Sequence, residues 1–340
     1  MKAVVLVGGE GTRLRPLTET IPKPLLLLVD RPSLDHVLDH LARHGVHEVV
    51  LSSSYLEATF HAFIEARHGD PRIVWITEEE PLGTGGAIVN ALEHVGDEPF
   101  LALNGDILTD LDLTAMLAFH RERRGAATIA LHRVEDARPF GLVPTAGDGR
   151  VIEFREKPSE PVPGEINAGT YILDPGQLGD WTRGENLSIE RQIFPEMIAS
   201  GRPVFGFPSD AYWLDIGTPE MYLQAHFDML GGRLDGVRYA APFVAPDAEI
   251  DLRAHLGRWV VVGERAVVGA RAQVDDSVLH VGAVVGVGAR VLGTILGPGA
   301  CVGAGATVTD SLLAENAVVP EGVSIAGERI SAGQEALPGS

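Results

Sequence analysis

The chain has 340 residues, of which 45% are hydrophobic, and its formal net charge is -20. This length gives room for a sizeable core and two domains. The acidic balance excludes a general nucleic-acid or anionic-membrane partner, because such partners need a basic protein face. No apolar stretch reaches the roughly 18–20 residues of a membrane span. The single cysteine, Cys301, excludes an intrachain disulfide and is typical of a reducing compartment, so we expect a cytoplasmic protein.

The first predicted strand runs into a glycine-rich, basic loop. Residues 3–7 form the continuous apolar run of a buried parallel strand. Glycine lets backbone N–H groups approach a ligand, and anions bind where such groups converge. The spacing fits neither a Walker phosphate loop nor a dinucleotide fingerprint. The loop is a candidate polyphosphate site that contains Gly8, Gly9, Gly11, Thr12, Arg13, Arg15 and, between two prolines, Lys23.

Up to about residue 230, predicted strands alternate with predicted helices. We predict three helices in this part of the chain. The first is capped by Ser33 and ends at Gly45, the second runs from about 55 to 67, and the third closes at Gly125. Helices of this length between strands imply βαβ units and a mostly parallel sheet, which binds ligands at the carboxyl ends of its strands. Further strands are predicted at 48–51, 72–76, 100–103 and 127–131.

After about residue 240 an aliphatic residue recurs every six positions, with one slip near Leu279. This period predicts a β-helix of about four triangular coils, and it resembles the left-handed hexapeptide-repeat β-helix. Many such domains are acyltransferases that use a histidine. His255 and His280 stand at irregular positions with no inserted loop, so we instead expect this region to pack against the catalytic domain and to form a homo-oligomer.

Residues 8–24 closely resemble the signature of the sugar-1-phosphate nucleotidyltransferases, and further matching segments extend the resemblance to about residue 327. The resemblance implies a Rossmann-like, mostly parallel α/β nucleotidyltransferase domain and a C-terminal left-handed parallel β-helix. The predicted domains are a catalytic domain at 1–232, a linker at 233–244, the β-helix at 245–330 and a mobile tail at 331–340.

Residues 78–87 look most like the mannose-1-phosphate guanylyltransferase branch of this family, through their Glu-x-Pro-Leu-Gly-Thr form. In the family this segment contacts the nucleobase. A carboxylate can accept from the guanine N1–H and amine together, and Glu80 is the candidate for that contact. The resemblance implies nucleotide binding by Gly8, Gly9, Gly11, Thr12, Arg13, Glu80, Gly83 and Asn104.

The remaining matched segments imply a metal site and a sugar-phosphate site. Asp106 and Asp215 match the family's metal-binding aspartates, and the implied cofactor is Mg2+, which prefers few protein ligands together with phosphate oxygens. Arg155 replaces the aliphatic residue usual in the Phe-Val-Glu-Lys-Pro segment, and its side chain is expected on the other face of a strand. The implied sugar-phosphate residues are Gly141, Glu156, Lys157 and Asn167, and the implied catalytic residues are Arg13, Lys23 and Lys157.

The predicted reaction is nucleotidyl transfer from a nucleoside triphosphate, with GTP favoured, to a sugar-1-phosphate, with mannose-1-phosphate favoured. The nucleophilic phosphate is already ionised near neutral pH, so no general base is required. Three alternatives stay open: a thymidylyl- or uridylyltransferase for glucose-1-phosphate, a guanylyltransferase for an unusual sugar or cyclitol phosphate, and a non-catalytic sugar-nucleotide sensor. The sequence leaves open how Glu10, a negative charge inside the phosphate loop, affects binding.

Overall fold

The computed structural model describes residues 1–53 and 55–337. The chain divides into two compact units, each built from two stretches of sequence. The first unit contains residues 1–9 and 34–213, and the second contains residues 10–33 and the chain from 214 onward. The glycine loop is therefore divided, because Gly8 and Gly9 belong to the first unit while the basic residues that follow belong to the second.

The described residues up to Leu230 form short strands and seven α-helices. The strands are β1 (Lys2–Leu6), β2 (Leu27–Leu28), β3 (Arg31–Pro32), β4 (Glu48–Ser53), β5 (Arg72–Thr77), β6 (Phe100–Asn104), β7 (Ile107–Thr109), β8 (Ala127–Val134), β9 (Gly141–Leu142), β10 (Arg155–Glu156), β11 (Gly164–Leu173), β12 (Val204–Ser209) and β13 (Trp213–Asp215). The helices are α1 (Ser33–Arg43), α2 (Glu57–Ala66), α3 (Gly83–Asn90), α4 (Leu92–Val95), α5 (Leu113–Arg123), α6 (Phe194–Ala199) and α7 (Pro219–Leu230), with a π-helix at Ile189–Ile193.

The first unit is built on a mixed sheet in the order β5-β4-β1-β6-β11-β8-β12, to which β9 and β10 add through β11. Strands β5, β4, β1 and β6 run parallel. Strand β11 runs antiparallel to both β6 and β8, and β8 and β12 are again parallel. The predicted fold class is confirmed, with β11 as the strand that reverses direction.

The centre of this sheet is buried on both faces. Ala3, Val4 and Val5 of β1 each have 0% exposure, and the middle of β6 is equally buried. Such continuous apolar strands are typical of parallel sheets covered by helices. Helices α3 and α6 contribute buried residues to this core, including Ile88 and Phe194. A rigid sheet centre fixes the loops that leave its strand ends.

One helix end differs from the sequence prediction. The Ser33 hydroxyl donates to the Pro24 carbonyl oxygen at 2.8 Å and so anchors residues 24–33, and the capping of α1 by its oxygen stays a prediction. Helix α5 ends at Arg124, which itself takes the left-handed conformation with φ 50°, one residue before the predicted Gly125. The end of α1 is as predicted, because Gly45 has φ 75° and the next amide returns to Leu41.

The second unit contains a parallel β-helix, whose strands start earlier than predicted. The strands are β14 (Phe243–Val244), β15 (Glu249–Ile250), β16 (His255–Leu256), β17 (Val261–Val262), β18 (Val267–Val268), β19 (Gln273–Asp275), β20 (Val278–Leu279), β21 (Val284–Val285), β22 (Arg290–Leu292), β23 (Ile295–Leu296), β24 (Cys301–Val302), β25 (Thr307–Thr309), β26 (Leu312–Leu313), β27 (Val318–Val319), β28 (Ser324–Ala326) and β29 (Arg329–Ile330). Among the described residues they stack into three parallel sheets of six, five and five strands, about one coil more than predicted.

The slip near Leu279 is the first of a regular series. Phe243 pairs with Val261, 18 positions on, whereas Val261 pairs with Val278, 17 positions on. Later coils keep the shorter length, and each shortened corner has a residue with positive φ. These corner residues are Asp276, Gly293, Asp310 and Gly327. The sequence period is therefore six, six and five, which the prediction took for a single irregularity.

A column of buried hydroxyls joins the shortened corners. The Ser277 hydroxyl accepts from the Thr294 amide at 3.0 Å, and the Thr294 hydroxyl accepts from the Ser311 amide at 3.3 Å. The Ser311 hydroxyl in turn accepts from the Glu328 amide at 3.1 Å. Each hydroxyl thus satisfies a backbone donor of the next coil, which a buried corner needs.

Residues 10–33 pack against the C-terminal part of the second unit. The Tyr222 hydroxyl of α7 donates to the Leu27 carbonyl oxygen and lies 3.1 Å from His280 Nε2. The Tyr239 hydroxyl lies 2.6 Å from an Asp30 carboxylate oxygen. Burial lowers the pKa of His280 to about 4, so this imidazole is neutral at neutral pH. His280 therefore serves packing in this unit.

The predicted tail begins within the described part of the chain. The Ala336 amide donates to Val318 at 2.8 Å, and Ala336 is 2% exposed. Residues 338–340, also part of the predicted tail, lie outside the described residues. No helix among the described residues is both long and apolar enough to span a membrane.

Candidate active site

In the first unit, β1 ends at two exposed glycines. Gly8 and Gly9 have no side chain to cover the backbone of the loop. A Cβ on Gly8 would meet its nearest atom at 3.7 Å, and one on Gly9 would meet nothing within 4 Å. Packing does not require glycine at these two positions, so their bare backbone is available to a ligand.

In the second unit, the structure brings Arg13, Lys23 and Asp215 together. Arg13 Nη2 lies 3.9 Å from one oxygen of the Asp215 carboxylate, and Lys23 Nζ lies 3.8 Å from the other. Lys23 is buried at 9% exposure, whereas the Arg13 side chain is 64% exposed. This arrangement places a predicted metal ligand between the two predicted phosphate-binding cations.

Local structure holds both cations in short turns. Gly11 has φ 62°, and a Cβ there would lie 3.0 Å from Thr18 and 3.1 Å from Lys23, so this position requires glycine. A 3₁₀ turn at Thr12–Leu14 then presents Thr12 and Arg13 to solvent. Another 3₁₀ turn, at Lys23–Leu25, starts at Lys23, which lies between Pro22 and Pro24, as the stiff Pro-Lys-Pro segment predicts.

Gly217 is a residue that the sequence interpretation missed. An added Cβ at Gly217 would lie 2.5 Å from Arg13 Nη2 and 2.9 Å from its Cζ. Gly217 thus leaves the space in which the Arg13 guanidinium lies. The signal was present, because Gly217 stands two residues after Asp215 in the matched segment, but the segment alone does not show what the glycine faces.

Glu10 is paired with a cation of its own loop. Arg15 Nη2 lies 2.6 Å from a Glu10 carboxylate oxygen, and both side chains are exposed. The negative charge of Glu10 is therefore balanced by Arg15. Arg13 and Lys23 are the cations of this loop that approach Asp215.

The three glutamates of the predicted base-binding segment have different environments. Glu78 is buried, accepting from the Ser52 hydroxyl at 2.8 Å and from the Leu82 amide at 3.0 Å, and so fixes the loop before α3. Glu80 is exposed and makes no hydrogen bond or ion pair within the part of the chain that the structure describes. Glu79 is exposed as well, so both carboxylates are accessible, and the nucleobase contact of Glu80 stays a prediction.

The glycines at the start of α3 allow close packing. A Cβ on Gly83, which has φ 69°, would lie 2.6 Å from the Leu187 carbonyl oxygen, and one on Gly86 would lie 2.2 Å from the Glu185 carbonyl oxygen. The intervening Thr84 donates to Glu190 at 2.8 Å. Packing therefore explains the glycine at position 83, and its nucleotide contact stays a prediction.

Asn104 and Asp106 follow the buried part of β6, at the end of the parallel strands. Gly169 has φ 70°, and a Cβ there would lie 2.8 Å from Asn104 Nδ2. The side-chain oxygen of Asn104, Oδ1, is buried and has no hydrogen-bond partner among the described residues. A buried acceptor without a donor is costly, which marks this position as one where a ligand donor would be stabilising.

The predicted sugar-phosphate residues Gly141, Glu156 and Lys157 lie together in the first unit. Glu156 pairs with Gly141 across β9 and β10, and a Cβ on Gly141 would lie 3.0 Å from a Glu156 oxygen. Lys157 Nζ is 4.0 Å from Glu156 and its side chain is 60% exposed. Burial raises the pKa of Glu156, and the nearby Glu190 carboxylate raises it further. The positive charges of Lys157 and Arg191 lower this pKa by less, so it is raised overall. Arg155 is exposed and pairs with Glu153.

Asn167 is held at a bulge of β11. Its amide donates to the Tyr171 hydroxyl at 2.8 Å, and its carbonyl oxygen accepts from the Gly169 amide at 3.0 Å. The register of β11 against β8 shifts between Asn167 and Tyr171, and such bulges redirect side chains. Asn167 therefore shapes the bulge that brings Gly169 against Asn104, and a sugar contact by Asn167 stays a prediction.

The predicted metal ligands supply hard carboxylate oxygens, which suit Mg2+. The described residues contain no group of three or more His, Cys, Asp or Glu side chains that could hold a metal by itself. Asp106 lies in the first unit and Asp215 in the second. Metal binding by these two carboxylates stays a prediction.

Comparison with known proteins agrees with this fold. Residues 2–231 match the model of the nucleotidyl transferase family, and residues 240–336 match a model described as the GMPPB C-terminal domain. The chain belongs to the nucleotidyl transferase family. The family predicted from residues 8–24 is thereby confirmed, whereas the predicted boundary at residue 232 stays a prediction.

Its relatives include named guanylyltransferases. The mannose-1-phosphate guanylyltransferase of Mycobacterium tuberculosis is 39% identical over 82% of this chain and 80% of its own length. The catalytic subunit beta of the Danio rerio enzyme is 40% identical over 66% of this chain and 63% of its own length. The crystal structure of HddC from Yersinia pseudotuberculosis is 31% identical, with a TM-score of 0.59, over 66% of this chain and 97% of that one.

Proposed function

We propose that the protein transfers a guanylyl group from GTP to mannose-1-phosphate and releases pyrophosphate. The cluster of Arg13, Lys23 and Asp215 carries this proposal, because it sets two cations and a carboxylate at the phosphate loop. The names of the relatives support guanine and mannose-1-phosphate. The HddC crystal structure has also been determined with GMP-PN, a guanine nucleotide.

In the proposed reaction, an oxygen of the sugar phosphate attacks the α-phosphorus of GTP. A new P–O bond forms, the bond between the α-phosphorus and the bridging oxygen of the β-phosphate breaks, and pyrophosphate leaves with that electron pair. The second pKa of a phosphate monoester is about 6. The nucleophile is therefore ionised at neutral pH, and the enzyme needs no side chain to remove a proton.

The main barrier is the approach of two polyanions. Two unit charges about 4 Å apart repel by roughly 4 kcal/mol at an effective dielectric constant near 20. Arg13, which is exposed, neutralises the departing pyrophosphate in this proposal, while the buried Lys23 holds the triphosphate. Fixed cations of this kind stabilise charge that develops in the transition state.

Asp106 and Asp215 would hold the proposed Mg2+. When bound, the ion neutralises phosphate charge and orients phosphate oxygens. In the described structure Asp215 lies between Arg13 and Lys23, so its carboxylate separates two like charges until phosphates arrive. In this proposal Asp215 would bind the metal ion once Arg13 and Lys23 contact the phosphates.

Selectivity is proposed to rest on two carboxylates of the first unit. Glu80 accepts from guanine, which offers an N1–H and an amine side by side, and its exposure supports this contact. Glu156 accepts from sugar hydroxyls while Lys157 binds the sugar phosphate, supported by their proximity. The cytoplasmic location and the homo-oligomer stay predictions.

The test is pyrophosphate release with Mg2+ across GTP, dTTP, UTP, ATP and CTP against mannose-1-phosphate and glucose-1-phosphate. Release mainly from GTP with mannose-1-phosphate is expected. Release from dTTP or UTP with glucose-1-phosphate would replace the guanine assignment. GTP turnover that needs another sugar or cyclitol phosphate would replace the mannose assignment. A folded protein that binds a nucleotide sugar but turns over no pair would be a sensor.

A further inference from the structure

Arg329 lies in β29, the last strand of the β-helix, and contacts the phosphate loop of the same compact unit. Its Nη1 lies 3.0 Å from the Arg13 carbonyl oxygen and 3.0 Å from the Arg15 carbonyl oxygen. These two donations connect residues 316 and 314 positions apart in the chain. The β-helix thus contacts the backbone of Arg13 itself.

The two carbonyl oxygens that Arg329 contacts are not used by the turn that precedes them. The Leu14 amide donates to Gly11 and the Arg15 amide donates to Thr12, which closes the 3₁₀ turn on earlier carbonyls. The two hydrogens on Nη1 of a guanidinium allow that one nitrogen to donate to both carbonyl oxygens. Arg329 therefore fixes the far side of the turn that presents Arg13.

Arg329 also faces the segment that follows Asp215. It lines a cavity of about 490 Å³ together with Glu220, in the first turn of α7. The pKa of Glu220 is lowered by hydrogen bonds from Thr218 and from its own backbone, with a smaller contribution from the positive charge of Arg329. One guanidinium thus lies near both chain segments that form the Arg13–Asp215 pair.

We propose that Arg329 is a positioning residue, which holds the phosphate loop so that Arg13 and the loop amides meet the triphosphate. This inference rests on the proposed function for the reaction, but the loop contact itself can be tested without substrate. In this account the β-helix has a part in nucleotide binding. The predicted sugar-phosphate residues Glu156 and Lys157 lie in the first unit, so the KM for the sugar phosphate serves as an internal comparison.

The test compares full-length Arg329→Gln, Arg329→Lys and the control Arg253→Gln with wild type. Arg253 is also an exposed β-helix arginine, but its Nε lies 3.0 Å from Asp251 within its own turn. Arg329→Gln is expected to raise the KM for GTP by about three- to tenfold, the usual effect of a lost hydrogen bond. It should leave the KM for mannose-1-phosphate and the thermal unfolding midpoint unchanged. Arg329→Lys, which retains a cationic donor, should recover most of the loss.

Hydrogen–deuterium exchange of the substrate-free variants separates this inference from the proposed function. Faster amide exchange in residues 11–15 of Arg329→Gln, but not of Arg253→Gln, supports the loop contact even when wild type turns over neither substrate pair. Equal exchange and equal kinetics in Arg329→Gln and Arg253→Gln would overturn the positioning role. A KM increase for both substrates, with a lowered unfolding midpoint, would likewise overturn it in favour of a purely structural role.

Discussion

Asp215 is the residue on which the proposed chemistry of the second unit depends. Its two oxygens face Lys23 and Arg13 at 3.8 and 3.9 Å. At these distances the pairs are ionic neighbours without close hydrogen bonds, so they can rearrange when phosphates bind. The pair of Arg13 and Asp215 contributes little to stability, because the Arg13 side chain is exposed and solvent screens the interaction.

Gly217→Ala is predicted to lower kcat without unfolding the protein. The new methyl group would lie 2.5 Å from Arg13 Nη2, and the long side chain can move away at small cost in stability. Arg13 would then leave its place beside Asp215, so the kcat loss should approach that of Arg13→Ala. Steady-state kinetics and thermal unfolding measure the two effects. Gly147→Ala is the control, because nothing lies within 4 Å of its Cβ, and normal turnover by Gly217→Ala would contradict the prediction.

Glu156 is predicted to make sugar-phosphate binding depend on pH. Burial and Glu190 raise its pKa above the usual range, so on acidification it becomes protonated before an ordinary glutamate does. A protonated carboxyl accepts hydroxyl hydrogen bonds poorly, and the KM for the sugar phosphate should therefore rise as pH falls through that pKa. The substrate phosphate also titrates near pH 6. The comparison with Glu156→Gln removes this common effect, and identical pH profiles would contradict the prediction.

At the scale of elements, each shortened coil of the β-helix has 17 residues instead of 18. Its shortened corner contains a residue with positive φ, followed in three of the coils by a buried hydroxyl residue. The sequence shows this as Ser277, Thr294 and Ser311 at intervals of 17 positions. A search for strict hexads reads each shortened corner as an error in the repeat. At each of these corners the buried hydroxyl accepts a hydrogen bond from a backbone amide of the next coil.

Thr294→Val is predicted to destabilise the β-helix by about 1–3 kcal/mol, the cost of a buried donor without a partner. The substitution keeps the shape of the side chain but removes the acceptor of the Ser311 amide. Urea unfolding measures the change in free energy. Thr307→Val is the matched control, since Thr307 lies in strand β25 at a half-buried position. Equal stability of the two variants would show that the hydroxyl column carries no such energy.

At the scale of the whole molecule, the phosphate loop belongs to the same compact unit as the β-helix. The contacts of Tyr222, Tyr239 and Arg329 all reach residues 13–30 from the C-terminal part of that unit. The nucleotidyl transferase family model matches residues 2–231, so Tyr239 and Arg329, which make two of these three contacts, lie outside the matched range. The catalytic sequence and the structural unit that holds it have different boundaries.

A chain that stops after residue 232 is predicted to lose most of its activity although it keeps every predicted site residue. It would lack Tyr239 and Arg329, which contact residues 13–30, and it would also lack the His280 ring beside Tyr222. Limited proteolysis should then cut residues 10–33 faster than in the full chain. Pyrophosphate release at the rate of the full chain would contradict this prediction.

The sequence by itself determined the family, the alternation of strands and helices up to about residue 131, and the six-residue rhythm of the β-helix. These features depend on neighbouring residues: a glycine after an apolar run, a helical spacing, a period of six. It also indicated the residues of the candidate site, because the ordered segments resemble one signature.

Only the tertiary structure decided which of these residues meet. The contact of Arg329 with Arg13, the space that Gly217 leaves for a guanidinium, and the pairing of Glu10 with Arg15 have no pattern in the sequence. Local periodicity indicates which face of an element is buried. A contact between residues 316 positions apart depends on the packing arrangement of the many elements between them. The membership of residues 10–33 in the C-terminal unit is of the same kind, since it arises from packing between distant segments.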